Sequence, residues 1–323
     1  MSTQAIFTIS VGANTVDAHP MHACNTQPID HASSLWLENA ATQLGVPASL
    51  AREFARNAVL ALPGLTLQLL LWQPQPVAQW VALGLLPRPA HCSPSVWSEL
   101  LLRANCAVSA MNTASLALSE QGDGLLVLRL ASRPGAEHHG LADELAQLMA
   151  IAESLVAGAT ALATPISQAS STPTTPPTAF QPDTSTLNLD WHSPLLRRAL
   201  QHLGIAAPTL IQTVGVIVAN ARTFEIIADS DQRHLLVSTA IDTPLMTPTQ
   251  REQALQANLQ LLLLTHCAVV LAPHGSTLQA RWNSQGLAGE DFADWLLDFG
   301  QLADRFTSQP LPAASAPRNP AWT

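Results

Sequence analysis

SPSVWSELLLRANCAVSAMNTASLALSEQGDGLLVLRL, Ser93 to Leu130, is the stretch that decides the fold, because its outline returns 153 to 154 residues later in TPTQREQALQANLQLLLLTHCAVVLAPHGSTLQARW, Thr247 to Trp282. Ser93-Pro94 supplies a hydroxyl N-cap and a proline at the first helical position, where a missing N–H costs nothing. Thr247-Pro248 repeats that start, and Gln250 completes a T-x-x-Q capping box. The caps predict leucine-rich helices over Val96–Asn105 and Gln250–Leu263, with Ala104-Asn105 and Ala257-Asn258 at matching points. Each helix leads into a strand, Ser115–Leu118 or Ala268–Leu271, and then a glycine turn, Gly122-Asp123-Gly124 or His274-Gly275. A second strand follows, Leu125–Leu130 or Thr277–Trp282, before a helix with apolar residues at helical spacing. Two segments with one plan predict two domains of one fold.

Upstream of each segment the parallel continues. Leu35, Trp36, Ala40 and Leu44 fall on one face of a helix over Ser33–Leu44 that Gly45 ends. Leu195, Leu196, Ala199, Leu200 and Leu203 do so after Ser193-Pro194, with Gly204 as the stop. Three strands are expected next in each half. In the first they lie near Asn57–Leu62, Leu65–Trp72 and Val77–Leu83; in the second, near Gln212–Ala219, Thr223–Ala228 and His234–Thr239. Ser49–Ala61 also reads as helix, since Leu50, Phe54 and Ala58 sit four residues apart, and both readings stay open. Closing helices carry Leu141, Leu145, Leu148, Ala152 and Leu155, and Phe292, Leu296, Phe299, Leu302 and Phe306.

The predicted class is therefore α+β, a tandem of two α-β-β-β-α-β-β(-β)-α domains, with two or three strands before the last helix. The expected boundaries are an N-terminal arm (1–30), domain 1 (31–160), a Pro/Thr/Ser-rich linker (161–187), domain 2 (188–307) and a tail (308–323). A linker of that composition cannot pack a core and tends to coil or polyproline II.

Composition narrows the function classes. Hydrophobic residues make up 47% of the 323 and charged ones only 11%, so each half has the material for a real core. There is no Lys, and a net charge of −9 argues against nucleic acid or an anionic membrane as partner. Cys24, Cys92, Cys106 and Cys267 form no C-x-x-C pair, and no signal-peptide pattern opens the chain, which predicts a reducing, cytoplasmic compartment. The apolar window Ala254–Pro273 contains Gln256, Asn258, Gln260 and His266, groups costly in lipid, so no membrane insertion is expected.

No phosphate-cradling, zincin or nucleophile-elbow motif occurs, and no catalytic residue is assigned. His19, His22 and Cys24 form the best metal trio but lack a fourth ligand nearby, so no metal or cofactor is expected. Asp291, Asp294 and Asp298 recur at helical spacing, either as a solvated face or as a dock for an arginine-rich partner such as an export ATPase. The run Leu65, Leu67, Leu69 and Leu71, interleaved with Thr66, Gln68, Leu70 and Trp72, has apolar groups on both faces. That pattern suits either a strand buried on both sides or one with a face open to a peptide.

Val81-Ala82-Leu83-Gly84-Leu85-Leu86-Pro87, followed by the helix ending Ala104-Asn105, resembles the strand, L-G-x-L-P turn and L-L-x-A-N helix of the class I type III secretion chaperones, the Tir-chaperone family. Ser115–Leu118, Gly124 and Leu126–Leu130 are similar to that family's following hairpin. The likeness spans Ser33–Leu155 and, more faintly, Ser193–Phe306, where Ala257-Asn258 remains but no L-G-x-L-P turn exists. Members are small acidic homodimers that bind the unfolded N-terminal region of secreted effectors, hydrolyse nothing and carry no cofactor. The resemblance implies an intramolecular pseudo-dimer, monomeric as a chain, with Trp97, Leu101, Leu116, Leu118, Leu255, Leu259, Leu262 and Val269 between the repeats. It implies an effector surface on a sheet face or edge, for which Leu65, Leu67, Leu69, Leu71, Trp72, Val214, Val216 and Val218 are the candidates. An alternative is a regulatory or structural protein of the secretion system that keeps the fold but binds a folded partner or another chaperone.

Overall fold

Leu116 and Val269 explain the paired asparagines. Each lies on a strand at the end of a sheet, where alternate backbone N–H and C=O groups point away from the only neighbouring strand. The Asn105 side chain accepts from Leu116 N at 2.6 Å and donates to Leu116 O at 2.8 Å. Asn258 treats Val269 identically, at 2.7 and 2.9 Å, and its amide also donates to Leu116 O in the other half at 3.2 Å. A buried asparagine thus replaces the missing strand, which fixes where each helix sits on its hairpin.

The structure is a computed structural model that describes residues 29–72, 79–111, 113–135, 140–163, 190–208 and 211–308. In chain order the first half holds α1 (His31–Gln43), α2 (Ala48–Asn57), β1 (Val59–Leu62), β2 (Leu65–Trp72), β3 (Gln79–Leu86), α3 (Pro94–Met111), β4 (Ala114–Leu118), β5 (Gly124–Arg129) and α4 (Leu141–Ala163). The second holds α5 (Ser193–His202), β6 (Val214–Ala219), β7 (Arg222–Ala228), β8 (His234–Ala240), α6 (Pro248–Thr265), β9 (Cys267–Ala272), β10 (Gly275–Asn283) and α7 (Gly289–Ser308). The strands form two antiparallel five-stranded sheets, in the orders β1-β2-β3-β5-β4 and β6-β7-β8-β10-β9. The chain is α+β.

Capping acts as the sequence predicts. Val96 N donates to Ser93 Oγ at 3.3 Å, and Thr247 and Gln250 form the reciprocal box at 3.1 and 3.2 Å. Both long helices exceed their predicted ends, α3 by six residues and α6 by two. Ser49–Ala61 proves to be both things in succession: α2 runs to Asn57, Ala58 turns in the left-handed region (φ 52°), and β1 begins at Val59. The expected L-G-x-L-P turn is instead the end of a strand, because β3 continues through Gly84 to Leu86. A Cβ on Gly84 would lie 3.0 Å from Leu148 and 3.2 Å from Leu65, so the glycine lets α4 press on the sheet. Helix α4 itself runs to Ala163, three residues into the expected linker. The remaining linker, residues 1–28 with His19, His22 and Cys24, and residues 309–323 lie outside the described residues.

The first sheet is covered on both faces and the second on one face and part of the other, and the halves trade covers. α1 and α4 pack on the first sheet's inner face, and α5 and α7 on the second's. On the outer faces, α6 lies over β4 and β5, and α3 over β9 and β10. Leu262 and Leu263, with Leu259, close a cluster of Val81, Leu83, Ala117, Leu125, Val127, Leu70 and Trp72. Arg251 reinforces the junction through Glu99, at 2.9 Å. Among the described residues the one helix long and apolar enough to cross a membrane by length and composition is α4, not the window around Leu262. Its Leu141, Leu145, Leu148, Ala152, Leu155 and Ala159 are buried at helical spacing in the main core.

Candidate functional site

Among the described residues the largest run of solvent-facing apolar side chains on a strand lies on β6, whose V-G-V-I-V-A alternation splits its two faces. Ile217 and Ala219 enter the core, while Val214, Val216 and Val218 are 59%, 63% and 59% exposed. Among the described residues β6 pairs only with β7, so its outer edge presents free backbone donors and acceptors. The register places Val214 opposite Ile227, Val216 opposite Glu225 and Val218 opposite Thr223, and Ile227 is 41% exposed. An unblunted edge beside an apolar ridge is the geometry that an added strand requires.

Further along this face the chemistry changes. Leu236 and Ser238 follow on β8, then Gln279 and Arg281 on β10. Gln279 donates to Cys106 O at 3.2 Å and Arg281 to Met111 O at 3.0 Å, both on α3 of the other half. The helix therefore closes the β9–β10 side and leaves the β6–β7 side open.

In the first half the expected surface is not one. Leu65, Leu67 and Leu69 are buried against the inner core, with Leu67 opposite Gly84 and Leu69 opposite Ala82 on β3. The alternate residues fare no better, because Leu70 and Trp72 pack beneath α6 of the other half. Only Leu71, near the strand end opposite Trp80, is exposed. Two covered faces, not an open one, account for the unbroken apolar run.

The residues assigned between the repeats divide as well. Leu259 and Leu262 reach the opposite sheet. Leu116 contributes its carbonyl to Asn258, and Val269, Leu255 and partly buried Leu118 belong to the core cluster that runs through both halves. Trp97 and Leu101 belong to the same cluster and also close over Gly124 of their own sheet, where a Cβ would meet Trp97 at 2.9 Å.

The acidic helix faces are partly engaged within the chain. Asp291 accepts from Ala288 N at 2.7 Å, Asp294 faces His202 at 3.2 Å, and Asp304 pairs with Arg222. Glu144 accepts from Ala131 N and Ser132 N at 2.6 and 3.1 Å. Cys92, Cys106 and Cys267 are free thiols, each held protonated by burial, which pushes Cys267 up to about 12. Among the described residues no group of three His, Cys, Asp or Glu is placed to hold a metal ion.

Ile227 is the residue of this face that sequence reasoning missed. The signal for Ile227 was the alternation of β7, T-F-E-I-I-A, which puts it on the face of Thr223 and Glu225.

No protein-family model matches this chain. No curated protein matches it either. Among solved structures it is similar to the HopA1–SchA chaperone–effector complex, at a TM-score of 0.33 and 12% identity over 40% of this chain and 100% of that one. It is also similar to the ExoT–SpcS complex from Pseudomonas aeruginosa, at a TM-score of 0.25 and 14% identity over 36% and 96%.

Proposed function

We propose that this protein is a non-enzymatic cytoplasmic chaperone that holds the unfolded N-terminal region of one or more secreted effectors extended, soluble and competent for type III export. The observation that carries the reading is β6, a free sheet edge with three exposed valines on one face. An extended segment added there gains main-chain hydrogen bonds along the edge and covers Val214, Val216, Val218 and Ile227 with alternate side chains. The family resemblance of the L-G-x-L-P and L-L-x-A-N segments supports the same reading.

In this proposal the halves are tandem repeats standing as the two subunits of a dimer. The common strand order and the matched roles of Asn105 and Asn258 support it. The client surfaces are unequal, because β2 is covered on both faces while β6 is not. An export ATPase is proposed as a second partner, meeting the part of the α7 acidic face around Asp298.

Limited proteolysis tests the function. A purified effector N-terminal fragment is expected to resist protease only in the presence of this protein, and to lose that protection with Val214→Asp/Val216→Asp/Val218→Asp. A fragment equally labile with and without the protein overturns the proposal. So does affinity capture that returns only folded apparatus or regulatory proteins, which is the outcome the alternative reading expects.

A further inference from the structure

Arg129 and Arg281 stand at corresponding places. Leu116 pairs with Leu126 and Val269 with Leu278, and each arginine lies three residues beyond that partner. Each also reaches the end of the other half's long helix. Arg281 donates to the carbonyl of Met111, the last residue of α3, and Arg129 Nη1 meets Nε2 of His266, the C-cap of α6. The two guanidiniums line one cavity of about 20 Å³ at the junction, together with Ser109, Thr113, His266 and Cys267.

Their charges are answered differently. Arg281 is bonded to Asp229 at 2.5 Å and Asp231 at 2.7 Å, both in the β7–β8 turn. The β2–β3 connection in the first half, Gln73-Pro74-Gln75-Pro76-Val77-Ala78, has no acidic residue. Arg129 meets only neutral acceptors, Gln79 Oε1 at 2.9 Å from Nε and the His266 ring, and among the described residues it makes no ion pair. Burial brings Arg129 down to about 10, which leaves it charged at neutral pH. His266 falls to about 4, from burial first and Arg129 second, so its ring is neutral there and Nε2 can accept. Cys267 is a thiol and supplies no negative charge. The hydroxyls of Ser109 and Thr113 already donate to Asn105 O and Arg129 O.

A partly buried cation without a counter-charge is costly. The cavity beside it has room for one water-sized guest. We propose that the cavity between Arg129, His266 and Arg281 binds a small monoanion, of halide size, as the counterion that Arg129 lacks among the described residues. The anion lies between the two halves and ties them together.

The test is the melting temperature of the full chain at neutral pH and constant ionic strength, as chloride replaces gluconate, an anion too large to enter. From about 10 to 500 mM chloride the melting point is expected to climb by roughly 2–4 °C and to level off, as a saturable site requires. Arg129→Met removes the unpaired charge, and Gln79→Glu places a carboxylate beside Arg129 with little change of shape. Each is expected to melt higher than wild type in gluconate and to lose the chloride response. Crystals grown in bromide should show an anomalous peak beside Arg129. Equal melting in the two salts, a chloride response retained by both variants, or an empty cavity in bromide overturns the proposal and leaves water as the occupant.

Discussion

Replacing Asn258 by alanine should be among the most damaging single changes in the chain. Its side chain is fully buried and satisfies three backbone groups: Val269 N, Val269 O and Leu116 O. Alanine leaves both groups of Val269, itself 1% exposed, without a partner, while Leu116 O keeps Asn105 at 2.8 Å. Each orphaned buried group costs about 1–3 kcal/mol, so the expected loss is about 3–5 kcal/mol. Asn105→Ala orphans only Leu116 N, since Asn258 still donates to Leu116 O, and should cost less, about 2–3 kcal/mol. Because the two asparagines share one carbonyl, the double variant should depart from the sum of the singles. Urea titration measures this. With a slope of roughly 3 kcal/mol/M, Asn258→Ala should lower the midpoint by about 1–1.7 M. A midpoint within about 0.3 M of wild type, or a larger loss for Asn105→Ala, would refute the account of the asparagines as substitutes for a missing strand.

Further outcomes are expected elsewhere. His266 holds its proton less tightly folded, at about 4, than unfolded, at 6.5, so the unfolded chain gains a proton first as pH drops through that window. Stability should be complete above about pH 6.5 and fall toward pH 4. Solvent reaches the ring, so the loss should be well below the ~3 kcal/mol of an enclosed group, and His266→Asn should flatten the thermal-melting profile. Gly84→Ala should cost about 1–3 kcal/mol by pushing a methyl into Leu148 and Leu65, read as a lower denaturation midpoint with unchanged slope. Val216→Lys should alter stability by no more than about 0.5 kcal/mol, since the side chain is already in water. The same change should weaken client binding by about tenfold or more in a titration, because burial of a valine contributes about 1.5 kcal/mol or more.

Elements with local signals were legible in the sequence. The capped starts of α3 and α6, the glycine-broken hairpins and the repeated Ala-Asn all depend on residues within a few positions of one another. Their structural counterparts stand where the sequence places them. Ser49–Ala61 was harder because a helix and a strand meet inside it, joined by a non-glycine residue at φ 52° that no composition signals. Gly84 misled for a related reason: it reads as a turn former, and its use is the close approach of α4, an element that begins 57 residues later.

The candidate client surface shows the limit most clearly. By itself the sequence determined that Leu65, Leu67, Leu69 and Leu71 share one face of a strand, and that Val214, Val216 and Val218 share another, since a period of two is a property of the backbone alone. Only the tertiary structure decided that the first set, Leu71 at the strand end apart, lies under the core while the second meets water. What covers a face comes from elements far along the chain, α4 over the first sheet and α3 over only part of the second, and alternation carries no record of them.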